Sequence, residues 1–227
     1  MKIGILGTGM VAQALGGRLA SLGHDVMIGT RDVAKTLERS EKDAYGNPPF
    51  KEWHRDISGV KLEDFAQAAA FGELVINATA GSASLAALDI AGASHLNGKI
   101  LIDVANPLDF SQGMPPSLFV CNTDSLGEQI QRGFPEVKVV KTLNTINALL
   151  MVNPAQVANG DHHIFVSGND QTAKDKVIGY LKAWFGWKHV IDLGDISSAR
   201  GTEMILPIWV RLMGALQTPM FNFKILQ

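Results

Sequence analysis

Small residues near the start of the chain have the spacing of a phosphate-binding turn. Residues 7–12 read Gly-Thr-Gly-Met-Val-Ala, with glycine at the first and third positions and alanine at the sixth. Gly7 permits a tight strand-to-helix turn, Gly9 lets a phosphate approach the backbone, and Ala12 allows a helix to pack closely on a strand. The unpaired N–H groups that begin such a helix attract anions. The pattern predicts a site for the diphosphate of a dinucleotide.

Hydroxyl and cationic side chains follow the second predicted strand, where NAD-binding proteins commonly place an acidic residue that binds the ribose hydroxyls. This chain has Thr30 and Arg31 there, and Lys35 lies one helical turn later. Thr30 can donate a hydrogen bond, Arg31 offers a planar fork to a phosphate, and Lys35 adds a point charge. Asp32 lies past the turn, where it can cap the next helix. These residues favour NADP, with its 2′-phosphate, over the alternative that both cations are ordinary surface charges.

The glycine turn needs a strand before it and a helix after it, and the sequence supplies both. Residues 3–6 form a short apolar run, and Val11, Leu15, Leu19 and Leu22 then recur at helical spacing. A second strand is predicted at residues 24–28 and a second helix at residues 33–39. The turn therefore lies inside a βαβ unit, which is the context that a dinucleotide fingerprint requires.

Strands and helices continue to alternate along the chain. Further strands are predicted at residues 74–78, 99–104, 137–143, 162–167 and 189–193, and further helices at 62–71, 84–90, 126–131, 172–185 and 198–216, the last bent near Pro207. Residues 40–59 are predicted to form a surface loop that carries Phe50 and Trp53. The alternation predicts an α/β, Rossmann-type, doubly wound fold with a mainly parallel sheet. We predict an NADP-binding domain over residues 1–142 and a smaller C-terminal lobe, residues 143–227, packed on the same sheet.

The composition excludes several other classes of protein. Apolar residues make up 46% of the chain and charged residues 19%, with a net charge of −2, which is typical of a globular protein and not of a nucleic-acid binder. The apolar stretch at residues 204–216 is interrupted by Pro207 and Arg211, well short of a membrane-spanning length. A single cysteine, Cys121, excludes an internal disulfide and fits a reducing compartment. We predict a cytoplasmic protein without nucleic-acid or membrane partners.

No catalytic triad, paired carboxylates or metal-ligand cluster is recognisable in the sequence, so we predict neither catalytic side chains nor a metal. His162 and His163 are adjacent on a predicted strand and point to opposite faces, which favours structural roles. Asn106 and Asn144 each follow a predicted strand, at the sheet edge where doubly wound folds bind ligands. Asn144 could bind a ring carbonyl or the nicotinamide amide, whereas either asparagine could equally form a turn.

Several segments, in their order along the chain, resemble the deazaflavin (coenzyme F420)-dependent NADP oxidoreductases. They are residues 7–11, Thr30 and Arg31 with Lys35, residues 103–107 (Asp-Val-Ala-Asn-Pro), residues 140–146 (Val-Lys-Thr-Leu-Asn-Thr-Ile), and the ending from residues 197–200 (Ser-Ser-Ala-Arg) through Pro207 to residues 224–226. The chain is similar as well to the NADPH-oxidoreductase domain of the STEAP metalloreductases. The resemblance covers nearly the whole chain apart from residues 40–59.

The resemblance implies that NADP(H) lies along the strand ends, with a flat electron acceptor beside the nicotinamide. Together with Asn106, which was selected by its position after a predicted strand, the predicted cofactor contacts are Gly7, Thr8, Gly9, Met10, Val11, Thr30, Arg31, Lys35, Ala78, Thr79, Ala80 and Ala148. The acceptor, a deazaflavin or a flavin (FMN or FAD), would lie near Asn144, Ile146, Leu206 and Pro207. Asn144 stands where archaeal deazaflavin enzymes have a histidine, which leaves the identity of the acceptor open. Family members are commonly homodimers, so a homodimer is expected.

These observations predict an enzyme that transfers hydride between NADP(H) and a deazaflavin or flavin, since such chemistry needs positioned rings and no protein nucleophile. The alternative is a non-catalytic NADP(H)-sensing protein that binds a protein partner, because the sequence reveals no proton donor. A dehydrogenase of the 6-phosphogluconate or hydroxyacid type is disfavoured. Only about 80 residues follow Leu143, and they include further strands.

Overall fold

A single large sheet organises the chain in the computed structural model, which describes residues 1–42 and 46–227. The strands are β1 (Lys2–Leu6), β2 (Asp25–Thr30), β3 (Val60–Asp64), β4 (Leu74–Asn77), β5 (Ile100–Asp103), β6 (Leu108–Asp109), β7 (Ser117–Leu118), β8 (Lys138–Thr142), β9 (His163–Ser167) and β10 (His189–Asp192). The helices are α1 (Met10–Ser21), α2 (Val33–Glu38), α3 (Phe50–Asp56), α4 (Phe65–Phe71), α5 (Gly81–Ala91), α6 (Ala93–Leu96), α7 (Leu126–Gly133), α8 (Ala148–Val152), α9 (Gln171–Tyr180), α10 (Ala199–Met204) and α11 (Leu206–Leu216).

Eight strands pair in the order β10-β9-β8-β5-β4-β1-β2-β3, and β6 and β7 form a separate antiparallel hairpin. All neighbours in the large sheet run parallel except β8 and β9. From β1 the chain builds outward to β2 and β3, then returns to add β4 and β5 on the other side. The strand order therefore switches between β1 and β4, and such a switch opens a ligand crevice at the carboxyl ends of the strands. This topology confirms the predicted Rossmann-type α/β fold with a mainly parallel sheet.

Apolar clusters cover both faces of the sheet. Ile3 and Ile5 of β1 pack with Leu15 and Leu19 of α1 on one face, whereas Leu6 belongs to the cluster on the other face. Strands buried on both faces read as continuous apolar runs, which is why residues 3–6 lack polar alternation. The sheet and the first of these clusters extend across the 142/143 boundary, because β9 and β10 continue the sheet. The division into two domains stays a prediction.

The segment predicted as a surface loop contains a helix that is anchored to the core, so that part of the prediction was wrong. Phe50, at the start of α3, is buried, and Trp53 packs against the core. A Cβ built on Gly16 of α1 would lie 3.6 Å from the Trp53 ring, so the small residue makes room for the indole. Burial of the Phe50 ring and partial burial of the Trp53 ring outweigh the turn-forming residues just before them. Residues 43–45 of the segment lie outside the described residues.

An edge strand replaces the first part of the helix predicted at residues 62–71. β3 pairs with β2, and α4 begins only at Phe65. Asp64 marks the boundary, because its carboxylate accepts a hydrogen bond from the backbone N–H of Gln67 at 2.7 Å and thereby caps α4. The prediction of a helix was correct and its start was placed too early.

The last two helices meet at the predicted bend. α10 ends at Met204, and α11 starts at Leu206 with Pro207 in its first turn, where the missing N–H of proline is tolerated. Along residues 1–42 and 46–227, no helix combines the length and the apolar composition that crossing a lipid bilayer would require.

Candidate dinucleotide site

The glycine turn between β1 and α1 leaves an open surface at the switch point of the sheet. Gly7 has φ +116°, and a Cβ there would lie 2.5 Å from the carbonyl oxygen of Ala78, so only glycine fits. A Cβ on Gly9 would meet nothing within 4 Å. Gly9 is also the N-cap of α1, and it brings no side-chain hydrogen bond to the first turn of that helix. This open surface and these uncapped N–H groups fit a diphosphate.

The cations after β2 differ in their surroundings. Arg31 is exposed and makes no hydrogen bond or ion pair with any residue that the structure describes. The Lys35 ammonium lies 3.3 Å from the Asp32 carboxylate, and both side chains are solvent-exposed. Asp32 caps α2 as predicted, since its Oδ1 accepts the Lys35 backbone N–H at 3.0 Å. This backbone hydrogen bond holds the pKa of Asp32 below its usual value. Arg31 therefore has its guanidinium fork available for a phosphate.

Thr30 has a partner that the sequence did not reveal. Its Oγ1 lies 2.7 Å from the Oγ1 of Thr36, and the Thr36 hydroxyl donates to the backbone oxygen of Asp32 at 2.8 Å. Because Thr36 uses its proton on Asp32, Thr30 is the donor between the two hydroxyls. Thr30 would have to reorient its hydroxyl in order to donate to a phosphate. The sequence feature that could have revealed this contact is Thr36, one helical turn after the N-cap residue Asp32.

Hydrogen bonds between polar side chains hold the turn after β4 in place. The Asn77 side chain donates to Asp103 Oδ1 at 2.8 Å and accepts from the Thr79 hydroxyl at 2.7 Å. Thr79 also lies within hydrogen-bond distance of the Ser84 hydroxyl, at 2.9 Å. A Cβ on Gly81 would lie only 1.9 Å from the carbonyl oxygen of Asn106, so the turns after β4 and β5 are in direct contact. Sequence reasoning missed Asn77 and Gly81, although a polar residue ending an apolar strand was a usable signal.

A fully buried ion triplet lies beneath these turns. The Lys141 ammonium is 2.8 Å from Asp103 Oδ2 and 2.8 Å from Glu203 Oε1, and it also donates to the carbonyl oxygen of Ala105. The Glu203 carboxylate accepts the backbone N–H groups of Leu126 and Gly127 at 2.8 and 3.0 Å and so caps α7. Burial alone would lower the pKa of Lys141, but the two carboxylates more than offset it and raise that pKa. The lysine therefore stays charged.

The two predicted asparagines bind each other. Asn106 Nδ2 donates to the backbone oxygen of Asn144 at 2.8 Å, and Asn144 Nδ2 donates to Asn106 Oδ1 at 3.0 Å. Asn144 is buried and follows Leu143, whose φ is +60°. The pair joins the ends of β5 and β8 across the sheet edge. Contact of either asparagine with a bound ring stays a prediction.

A cleft of about 230 Å³ lies above the strand ends. It is lined by Val11, Ala78, Thr79, Ala80, Gly81, Ser82, Val104, Ala105, Asn106, Leu108 and Phe110. The fold thus brings together Val11, the predicted turn after β4 and Asn106. Twelve predicted residues lie outside this lining. Seven belong to the glycine turn and the segment after β2: Gly7, Thr8, Gly9, Met10, Thr30, Arg31 and Lys35. The other five are Ala148, Asn144, Ile146, Leu206 and Pro207, of which only Pro207 is exposed.

Both histidines of the predicted adjacent pair contact the backbone. His162 is buried, its Nε2 lies 2.9 Å from the carbonyl oxygen of Pro154, and its Nδ1 accepts from Asn222 at 2.7 Å. His163 accepts the backbone N–H of Ile225 at 3.2 Å. These contacts confirm structural roles for both. Among the described residues, no three His, Cys, Asp or Glu side chains are grouped so as to hold a metal ion.

Substituting Gly81 tests whether the contact between the two turns shapes the site. Gly81→Ala is expected to force the turns apart, lowering stability by about 1–3 kcal/mol and weakening NADPH binding. Gly179→Ala, inside α9 with open space around the added Cβ, is the matched control and is expected to be neutral or slightly stabilising. Thermal unfolding and NADPH titration would measure both effects. Unchanged binding in Gly81→Ala would contradict the steric argument.

Comparisons with known proteins agree with this geometry. Residues 2–107 match the family profile described as NADP oxidoreductase, coenzyme F420-dependent. The crystal structure of a candidate F420-dependent NADP reductase from Arthrobacter sp. FB24 is 60% identical in sequence, covers 100% of both chains and superposes with a TM-score of 0.96. The chain belongs to the coenzyme F420-dependent NADP oxidoreductase family.

More distant relatives of this NADP oxidoreductase agree with the resemblance found in the sequence. The F420-dependent NADP reductase of Methanothermobacter marburgensis is 27% identical over 216 residues, which cover 93% of this chain and 92% of that protein. Metalloreductase STEAP3 of Rattus norvegicus is 30% identical over 212 residues, which cover 92% of this chain and 38% of that protein. The chain thus spans well under half the length of STEAP3. The predicted family resemblance is confirmed, and the family is one of NADP-dependent oxidoreductases.

Proposed function

We propose that this protein transfers hydride between NADP(H) and a deazaflavin or flavin stacked on the nicotinamide. The observations that carry the proposal are the open space at Gly9, at the uncapped start of α1, and the cleft between the turns after β4 and β5. Val11 belongs to both parts, since it lies in the first turn of α1 and lines the cleft. A dinucleotide bound along this path would place its nicotinamide at the switch point of the sheet.

The side chains divide the work of binding. The first-turn N–H groups of α1 would hold the diphosphate, and Arg31 with Lys35 would hold the 2′-phosphate. Ala80, Leu108 and Phe110 are apolar residues of the cleft lining, against which the nicotinamide would pack. When bound, NADPH supplies the hydride, and the protein contributes ring orientation and a dry environment.

A reduction assay tests the proposed activity. Purified protein is mixed with NADPH and oxidised coenzyme F420, FMN or FAD, and the loss of acceptor absorbance is followed against reactions with NADH and without protein. Turnover of at least one acceptor with NADPH supports the proposal. Tight NADPH binding without turnover of any acceptor would contradict the proposed activity and would favour the NADP(H)-sensing alternative.

We also propose two binding partners for this protein. They are a small-molecule electron acceptor and a second copy of the chain. Cys121 is exposed and unpaired, which is consistent with a reducing cytoplasm as the compartment.

We place the interface of this homodimer on α11. Leu206 is its one buried residue, while Ile208 and Leu216 are 54% and 53% exposed on a largely apolar helix. An apolar helix face of this kind gains stability when a second copy covers it. We expect a dimer in sedimentation experiments, and Ile208→Glu is expected to yield folded monomers. Leu193→Glu, at another exposed apolar position, is the control, and a monomeric unmodified protein would contradict the interface.

A further inference from the structure

Residues 218–225 follow α11 and are bound to the first residue of β9; we call this segment the strap. The backbone N–H of His163 donates to the backbone oxygen of Phe223 at 3.1 Å. The Asn222 side chain in turn donates to the backbone oxygen of His163 at 2.8 Å. Both backbone groups of His163 therefore hold the strap in place.

Two adjacent histidine rings also accept hydrogen bonds from the strap. His162 Nδ1 accepts from Asn222 Nδ2 at 2.7 Å, and His163 Nδ1 accepts the backbone N–H of Ile225 at 3.2 Å. A ring nitrogen accepts a hydrogen bond only while it carries no proton. Inverting the Asn222 amide would turn its oxygen toward the His163 carbonyl oxygen, and a backbone N–H cannot be inverted at all. Both contacts therefore require a neutral ring.

The two rings differ in their access to solvent. His162 is 2% exposed, its Nε2 donates to the backbone oxygen of Pro154, and it packs edge-on against Trp187 with ring centroids 5.2 Å apart. His163 is half-buried, and its ring centroid lies 5.1 Å from that of His189. His163 is therefore the ring that can take up a proton from solvent.

The charged groups around His163 act on its protonation in opposite directions. Partial burial, followed by the positive charge that His189 can carry, holds the pKa of His163 below its ordinary value. Lys224 in the strap and His162 act in the same direction. Asp161 acts in the opposite one, but its carboxylate already pairs with Lys224 and lies 3.4 Å from His189 Nε2. The surroundings of His163 thus favour the neutral ring that the strap requires.

The strap covers an aromatic side chain of α11. Phe221 stacks on Trp209 with ring centroids 5.2 Å apart, and Met220 packs against the apolar core. Trp209 Nε1 and Asn222 Oδ1 are buried without a hydrogen-bond partner in the part of the chain that the structure describes. Water would satisfy both atoms if the strap moved away, which lowers the stability of the closed strap relative to the open one.

We propose that the strap opens and closes with pH: it is closed over Trp209 while the His163 ring is neutral, and it opens when that ring is protonated. Protonation places an Nδ1–H against the N–H of Ile225, so repulsion between two donors replaces the hydrogen bond. A free histidine ring has a pKa of about 6.5. Because the ring has a lower pKa in the closed strap, the closed form is most stable above that value and loses stability as the pH falls through it. This device lies outside the proposed hydride transfer and does not depend on it.

Hydrogen–deuterium exchange of strap peptides, corrected for the intrinsic pH dependence of exchange, tests the device in the whole protein. Protection of the strap amides is expected to fall about tenfold from about pH 7.5 to about pH 5.5, the change that one unit of pKa difference between the two forms produces. Peptides from α1 should keep their protection over the same range.

His163→Gln separates titration of the ring from a general loss of stability. Glutamine keeps a hydrogen-bond acceptor and carries no charge at either pH, so this variant is expected to lose the pH dependence of strap protection. His95→Gln is the matched control, because the His95 ring contacts only its own region of the chain through the Ala91 oxygen at 2.8 Å. Unchanged pH dependence in His163→Gln, or constant strap protection in the unmodified protein, would overturn the proposal.

A nuclear magnetic resonance titration of the unmodified protein gives a measurement that needs no variant. The His163 ring is expected to titrate below the pKa of free histidine, in parallel with the loss of protection at the Ile225 N–H. A protonated His163 ring beside a still protected Ile225 N–H would refute the device.

Discussion

Replacing Lys141 with methionine is expected to lower the free energy of unfolding by about 3–5 kcal/mol. The substitution leaves the carboxylates of Asp103 and Glu203, each 2.8 Å from the lysine ammonium, buried without their cation. Leaving a charge unpaired in an apolar interior costs far more free energy than the intact ion pair contributes to stability. The free energy of unfolding of small domains is about 5–15 kcal/mol, so the substitution would remove much of the stability of the protein.

Urea unfolding of the purified variants would measure this loss. Lys138→Met is the control, because Lys138 pairs with Asp170 at 3.2 Å on the surface and its removal is expected to cost under about 1 kcal/mol. Equal destabilisation by both substitutions would show that the triplet is not a buried charge network.

Arg31→Ala is expected to weaken NADPH binding about 10–100-fold while changing NADH binding little. The guanidinium has no protein partner among the described residues, so the side chain gives up no internal contact when it binds a phosphate. NADH lacks the 2′-phosphate and therefore does not engage the fork. The effect on NADPH should decrease as salt screens the charges.

Calorimetric titration with both nucleotides would measure this selectivity. Arg55→Ala is a suitable control, since Arg55 is an exposed arginine paired with Asp56 at 2.8 Å on α3. That control should bind both nucleotides as the unmodified protein does. Equal losses of NADPH and NADH binding in Arg31→Ala would instead indicate a general structural effect.

The parts of the fold that could be predicted from the sequence are those set by local chemistry. The apolar run at residues 3–6 identified β1, and the helical spacing from Val11 to Leu22 identified α1. Burial of one face or of both faces of an element produces a recognisable pattern of apolar residues in the sequence. Gly7 was equally readable, because its positive φ and its contact with the Ala78 oxygen admit only glycine. The cap formed by Asp32 was predicted for the same reason: it depends on residues three apart.

The parts that could not be predicted depend on residues far apart in the chain. Glu203 caps α7 from a distance of 77 residues, and Asn106 binds Asn144 across 38 residues. Neither pairing leaves a local pattern. Trp53 was assigned to a loop because its partner, the small-residue face of α1, is formed only on folding. The β6–β7 hairpin was missed likewise, since two-residue strands give almost no periodic signal.

The position of Glu203 limits how this protein can be recombined. One carboxylate from α10 both neutralises a lysine of β8 and accepts the first N–H groups of α7, so residues 1–142 lack an electrostatic partner in the absence of α10. A chimaera that joins residues 1–142 to the tail of another reductase must supply an acidic group at the same place. Exchange of the C-terminal segment without such a group is therefore expected to destabilise residues 1–142.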